Sequence, residues 1–198
     1  MADHAHAIEH PTSTGLDSRK LAMWTFLASD CMFFGSLIAA YMVSRNRSVV
    51  GPYPDELLNI PFTSVSSFVL LMSSLSMVLA LSGIQRGSLR QFRIWTLATG
   101  FLGLVFLGGQ VYEFTEFYRE GLQLDTNLFG SSFFLLTGFH GTHVALGVVW
   151  LFSLFLASFK EGMVTKEKSL NVEIAGLYWH FVDIVWIVIF TLVYLLPY

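Results

Sequence analysis

Residues 61–85 read PFTSVSSFVLLMSSLSMVLALSGIQ, a run with no charged side chain. At 1.5 Å per residue a helix of this length reaches about 37 Å, more than the roughly 30 Å of a bilayer's hydrocarbon core. Four more stretches of similar apolar character lie around it, at about 21–44, 92–118, 128–159 and 172–196. The one at 128–159 is long enough to tilt or to extend past the membrane. No strand-like alternation or glycine-rich nucleotide loop interrupts them. The pattern predicts an all-α integral membrane protein, a bundle of five transmembrane helices.

Composition agrees. The 198 residues are 54% hydrophobic and 13% charged, against about 25% charged in a soluble domain. A water-soluble fold of this size has too little interior to hide so much apolar side chain. The 19 phenylalanines and five tryptophans suit lipid-facing and interfacial surfaces. The net charge of −3 and the lack of a basic cluster argue against a nucleic-acid partner. A single cysteine, Cys31, excludes a disulfide within the chain and a cysteine-based metal site.

The chain divides into a polar tail, 1–20, and one helical domain, 21–198. The tail holds His4, His6 and His10 and lacks the marks of a signal peptide. The connections are short: 45–60 contains Pro52 and Pro54, 86–91 is tight and basic, and 160–171 alternates Lys and Glu. No internal repeat of the kind found in secondary transporters is present.

Orientation follows from the cations. Arg19, Lys20, Arg86, Arg90, Arg93, Lys160, Lys166 and Lys168 fall on the N-terminal side of the bundle, and Arg45, Arg47 and Arg119 on the other. This places the N-terminus in the cytoplasm and the C-terminus outside. Small residues mark candidate close packing: Gly100 and Gly103 in the third helix, and Gly138, Gly141 and Ala145 at helical spacing in the fourth. The second helix is serine-rich. Serine bonds back to its own helix, so this helix reads as packing alone.

Charged and polar groups inside the membrane are costly and need a partner or a purpose. The first helix has Asp30. The third has Gln110 and Glu113, the fourth His140 and His143, and the fifth His180 and Asp183, each pair at i, i+3 on one face. Counted from the cytoplasmic ends, Asp30 lies about 14 Å deep, His180 and Asp183 about 12 and 17 Å, and His143 about 10–20 Å. These four are expected to form one layer in the cytoplasmic half. Glu113 falls near the outer end, beside Tyr112 and Arg119, where an interfacial place is enough to account for it. The groups either hold the helices together or handle protons, and an apolar setting for Asp30 suits both. Three membrane histidines do not assemble the three or four donors of a metal site. No nucleophile with its base is evident, so no catalytic residue and no metal are expected.

Three stretches carry a resemblance. They are WTFLASDCMFFGSLIAAY at 24–41, GQVYEF at 109–114 with FFLLTGFHGTHVALG at 133–147, and YWHFVDIVWIVIFTLVYL at 178–195. In these the chain resembles subunit III of the haem-copper respiratory oxidases, over nearly its whole length beyond residue 20. The resemblance implies an accessory subunit of the bacterial plasma membrane with no redox centre of its own. It would pack mainly beside catalytic subunit I, with subunit II in the same complex. Haem and copper would reside in those partners. It also implies bound phospholipid, support of proton uptake by subunit I, and protection of the oxidase during turnover. Asp30 matches the family's buried helix carboxylate, which is glutamate in mitochondrial forms and reacts with carbodiimides. Gln110, Glu113, His140, His143, His180 and Asp183 match other polar motif positions.

One departure stands out. The mitochondrial type has seven helices and the first two have no counterpart here, so one wall of the family's lipid cleft is missing. The short form resembles that of bacterial cytochrome and quinol oxidases. Cytochrome c as electron donor is the leading expectation, and quinol is the alternative. From another class, an independent proton-coupled transporter would use Asp30, His143 and Asp183. A purely structural, lipid-binding scaffold is a further reading.

Overall fold

The computed structural model describes residues 15, 17–45, 47, 51–52 and 58–196. The tail histidines His4, His6 and His10, and Pro54, lie outside the described residues. Among the described residues five helices carry the fold: α1 (Ser18–Ser44), α2 (Ile60–Gln85), α3 (Leu89–Arg119), α4 (Leu128–Ala157) and α5 (Ser169–Phe190). A π-helical turn, Thr191–Leu195, continues α5. The five helical segments are each long and apolar enough to cross a bilayer.

Three helices start three residues before the apolar runs that announce them, at 18, 89 and 169 against 21, 92 and 172. The cause in α1 and α3 is capping. Asp17 accepts the Arg19 N–H at 2.8 Å and Ser88 the Gln91 N–H at 3.4 Å. Arg19, bonded to Asp17 through its side chain as well, holds that carboxyl below the usual carboxylate range. Asn59 and Asn127 cap α2 and α4 in the same way, accepting from Phe62 and Gly130. The polar first turns thus project beyond the apolar stretch into water. Between α2 and α3, Gly87 takes a φ of +79°, and the Ser88 N–H reaches back to the Gly83 carbonyl at 2.9 Å. This left-handed stop allows so short a hairpin.

α2, α3, α4 and α5 form a ring in which each packs against its two neighbours. α1 lies outside the ring, against α4 and α5. Its contacts follow one narrow seam: Met23, Leu27, Asp30, Phe34, Leu37 and Tyr41 alternate steps of four and three, as in a coiled-coil stripe. Leu27, Phe34 and Tyr41 are fully buried along it. Polar ties close both ends. Lys20 pairs with Glu173, Arg19 bonds Asn171, and Arg45 donates to the Leu196 carbonyl at 2.8 Å.

The distribution of side chains is that of a membrane protein. Phe68, Phe101, Val149 and Leu156 are 59–66% exposed, a surface that would associate in water. The interior holds Thr63, Ser67, Ser73, Ser76, Thr99, Gln110, Glu113, His140 and Asp183. Trp179 and Trp186 are its largest buried residues.

Trp179 explains the glycines. A Cβ on Gly103 would stand 2.7 Å from its ring, and one on Gly147 2.8 Å from it. The indole fills a slot between α3 and α4 that only glycine leaves open. Gly100 meets Phe152 and Gly141 meets the Gln110 side chain, at 3.3 and 2.8 Å. Gly138 has no neighbour within 4 Å of such a Cβ, and Ala145 is half-buried. The packed face of α4 runs through His140, Val144, Gly147 and Leu151, and Gly138 points off it. Gly147 is the close-packing glycine that the spacing of Gly138, Gly141 and Ala145 did not mark.

Candidate functional site

The polar residues of the motifs sit at three levels inside the bundle. In the middle of α1, Asp30 faces α4. Its Oδ2 lies 3.6 Å from His143 Nε2, with the two side chains 13% and 16% exposed. That distance suits an ion pair and is long for a hydrogen bond. His143 Nδ1 lies 2.7 Å from the Phe139 carbonyl, a contact that only a protonated Nδ1 makes favourable. Nε2 is therefore the ring atom left to face Asp30. Tyr178 donates to the His143 carbonyl at 3.0 Å, and Phe34 packs edge-on to the imidazole at 5.0 Å.

His180 and Asp183 share that depth but not that face. His180 Nδ1 meets the Ser74 hydroxyl of α2 at 2.7 Å. Asp183 is 4% exposed, and its Oδ1 meets no hydrogen-bond partner among the described residues. Among the described residues, Asp30–His143 is the only histidine–carboxylate pair within 4.0 Å. The expected layer of four thus divides: Asp30 and His143 face each other, while His180 turns to Ser74 of α2.

His140 is fully buried at the centre. It contacts the Val182 carbonyl through Nε2 at 3.1 Å and packs on Trp186 at 4.9 Å. Gln110 lies against Gly141.

Nearer the C-terminal end, Glu113 is 5% exposed and accepts from Thr63 at 2.8 Å and from Tyr194 at 3.0 Å. It is a three-helix tie, not the interfacial residue its place in the sequence allows. The π-helical turn carries Tyr194.

α2 has more than a packing role. Trp186 donates its indole N–H to Ser67 at 2.8 Å and Trp179 donates to Ser73 at 3.0 Å. Each of these serines meanwhile gives its own hydroxyl proton to its helix backbone, at Thr63 and Leu70. A hydroxyl donates once and accepts twice, so bonding back and bonding across coexist. Ser76 and Thr99 join α2 to α3 at 2.8 Å. Ser67, Ser73, Ser74, Thr63 and Tyr194 were missing from the candidate residues. The available signal was a match of intervals: the two tryptophans stand seven apart and their serines six.

Among the described residues no group of three or more His, Cys, Asp or Glu is placed to hold a metal. Between α1 and α5 an apolar groove of about 410 Å³ is lined by Trp24, Leu27, Ala28, Cys31, Leu177, His180, Phe181 and Ile184.

A family model described as cytochrome c oxidase subunit III matches residues 3–198. The chain belongs to this family. Its relatives include the quinol oxidase subunit 3 of Bacillus spizizenii, 39% identical over 98% of this chain and 96% of the relative. The cytochrome c oxidase subunit 3 of Bacillus sp. strain PS3 is 37% identical over 89% and 84%. That of Thermostichus vulcanus is 37% identical over 98% and 92%. Family membership makes the protein a multi-pass subunit III of a haem-copper respiratory oxidase in a bacterial plasma membrane.

Proposed function

We propose that this subunit is accessory and non-catalytic. In this reading it packs mainly on subunit I beside subunit II, with its N-terminus cytoplasmic and its C-terminus outside. It carries no redox centre, and haem and copper stay in the partners. It supports proton uptake and the working lifetime of subunit I, and it binds phospholipid. The observation that carries the reading is how the intramembrane polar groups are used. Ser74, Glu113, Trp179 and Trp186 each bond across a helix boundary, and Asp30 faces His143 across another, which is how a bundle is stiffened rather than how a substrate is held. The α1–α5 groove, apolar apart from His180 and open to the membrane, supports lipid binding, since an acyl chain suits such a surface.

The test compares the purified oxidase with and without this chain. Without it, the initial rate of oxygen reduction is expected to persist while the enzyme inactivates within fewer turnovers. Loss of the initial rate with haem content intact would contradict an accessory role.

A second reading concerns the electron donor alone. Two relatives named quinol oxidase subunit 3 match at 39% identity and two named cytochrome c oxidase subunit 3 at 37%. The neighbouring subunit II gene separates them, because a copper-binding cysteine pair there indicates cytochrome c.

A further inference from the structure

Where α3 ends and α4 begins, a groove of about 480 Å³ opens on the surface. Phe114 and Tyr118 of α3 and Phe134 of α4 form its wall, and Gln123, Leu124 and Asp125 of the connection form its rim. The wall is firm: Phe114 and Phe134 meet edge to face at 5.1 Å. The rim is held too. The Ser131 hydroxyl donates to the Leu124 carbonyl at 2.5 Å, and Thr126 Oγ1 accepts the Gln123 N–H at 2.9 Å.

Its chemistry changes along the membrane normal. Phe114 and Phe134 lie five and six residues inside their helix ends, about 8–9 Å deep. Gln123 and Asp125 stand in the connection beyond both helices, and Tyr118, 64% exposed, lies between. The groove therefore passes from aromatic to polar over the depth where a bilayer passes from acyl chain to headgroup. Among the described residues its one charged lining group is the Asp125 carboxylate. Asp125 has no ion pair among the described residues, and the nearby Arg119 is paired with Glu116 at 2.8 Å. A carboxylate over aromatic faces attracts an ammonium group and repels an anion.

We propose that this groove binds a zwitterionic phospholipid of the ethanolamine type. The ammonium meets Asp125 and the Tyr118 ring, Gln123 and the Tyr118 hydroxyl donate to the phosphate, and one acyl chain runs along Phe114 and Phe134. The inference deepens the reading that this subunit binds phospholipid, at a place apart from the α1–α5 groove, and requires of the assembly only that α3 and α4 span the bilayer.

The test uses the complex purified through this chain and exchanged into nanodiscs of equal phosphatidylethanolamine and phosphatidylglycerol. Native mass spectrometry then reads the lipid retained on this subunit. Phosphatidylethanolamine is expected to be held over phosphatidylglycerol. Asp125→Asn, at an exposed position, is expected to lower its retention roughly fivefold, and Tyr118→Leu to lower it less. The difference between wild type and variant isolates this groove from any other lipid on the complex. Equal retention of the two lipids by the wild type, or an unchanged Asp125→Asn variant, overturns the proposal. So does a photo-crosslink from position 118 to a protein, which would mean that another subunit covers the groove.

Discussion

Asp30 is the residue that most repays attention, because its sequence context left two uses open and its surroundings define a sharp experiment. It occupies a seam position of α1, where a polar group facing one partner sets the register of a helix, and that partner is His143 at 3.6 Å. Asp30→Asn keeps the size and removes the charge. If the pair handles protons for the oxidase, the variant complex inactivates faster or loses pumping near neutral pH. Unchanged lifetime and pumping would leave only the scaffold role. Glu113 invites a different measurement. Tyr194→Phe removes one of its two donors and is expected to cost about 0.6–1.7 kcal/mol in the unfolding of the purified complex. Glu113→Ala strands the buried Tyr194 hydroxyl, though Thr63 can still turn to the Asn59 carbonyl at 3.0 Å, and is expected to cost more. Equal effects would mean that Glu113 is not the shared acceptor. Depth and helix face made Asp30, His143, His180 and Asp183 legible in the sequence. Their grouping was not, because depth counts residues along each helix and says nothing about how far each helix is turned about its axis.

At the scale of elements, each helix starts within three residues of its apolar run, and the early starts of α1 and α3 trace to caps lying upstream of the apolar stretch. The π-helical turn after Phe190 had no local signal, since its residues are as apolar as those before it. α2 departs from packing alone for a specific reason: bonding back to the backbone does not exhaust a serine, and Ser67 and Ser73 do that and also accept the two tryptophans. The glycines allow a paired test. Gly103→Ala drives a methyl to within 2.7 Å of Trp179 and is expected to cost about 1–3 kcal/mol and to shift tryptophan fluorescence. Gly138→Ala, with open space around it, is expected to leave both unchanged. A neutral Gly103→Ala would mean that α3 and α4 are not held apart by that ring.

At the scale of the whole molecule, the sequence carried the architecture further than the site. Hydropathy gave five spans, and the quoted motifs gave the family that the match over residues 3–198 bears out. The arrangement of the ring, with α1 outside it on a single seam, depends on side-chain contacts that no linear pattern displays. Orientation rests on the distribution of Lys and Arg and is open to a direct test. In a Cys31→Ser background, a membrane-impermeant thiol reagent on intact cells is expected to label Glu120→Cys and to spare Glu161→Cys until the cells are opened. The reverse would invert the bundle. The most direct test of the central claim, that this chain works as a subunit of a respiratory oxidase, is the absorbance spectrum and subunit composition of what copurifies with it from native membranes. Haem bands and two further subunits, one of them much the larger, are expected; a chain that emerges alone and colourless from intact complexes would contradict it.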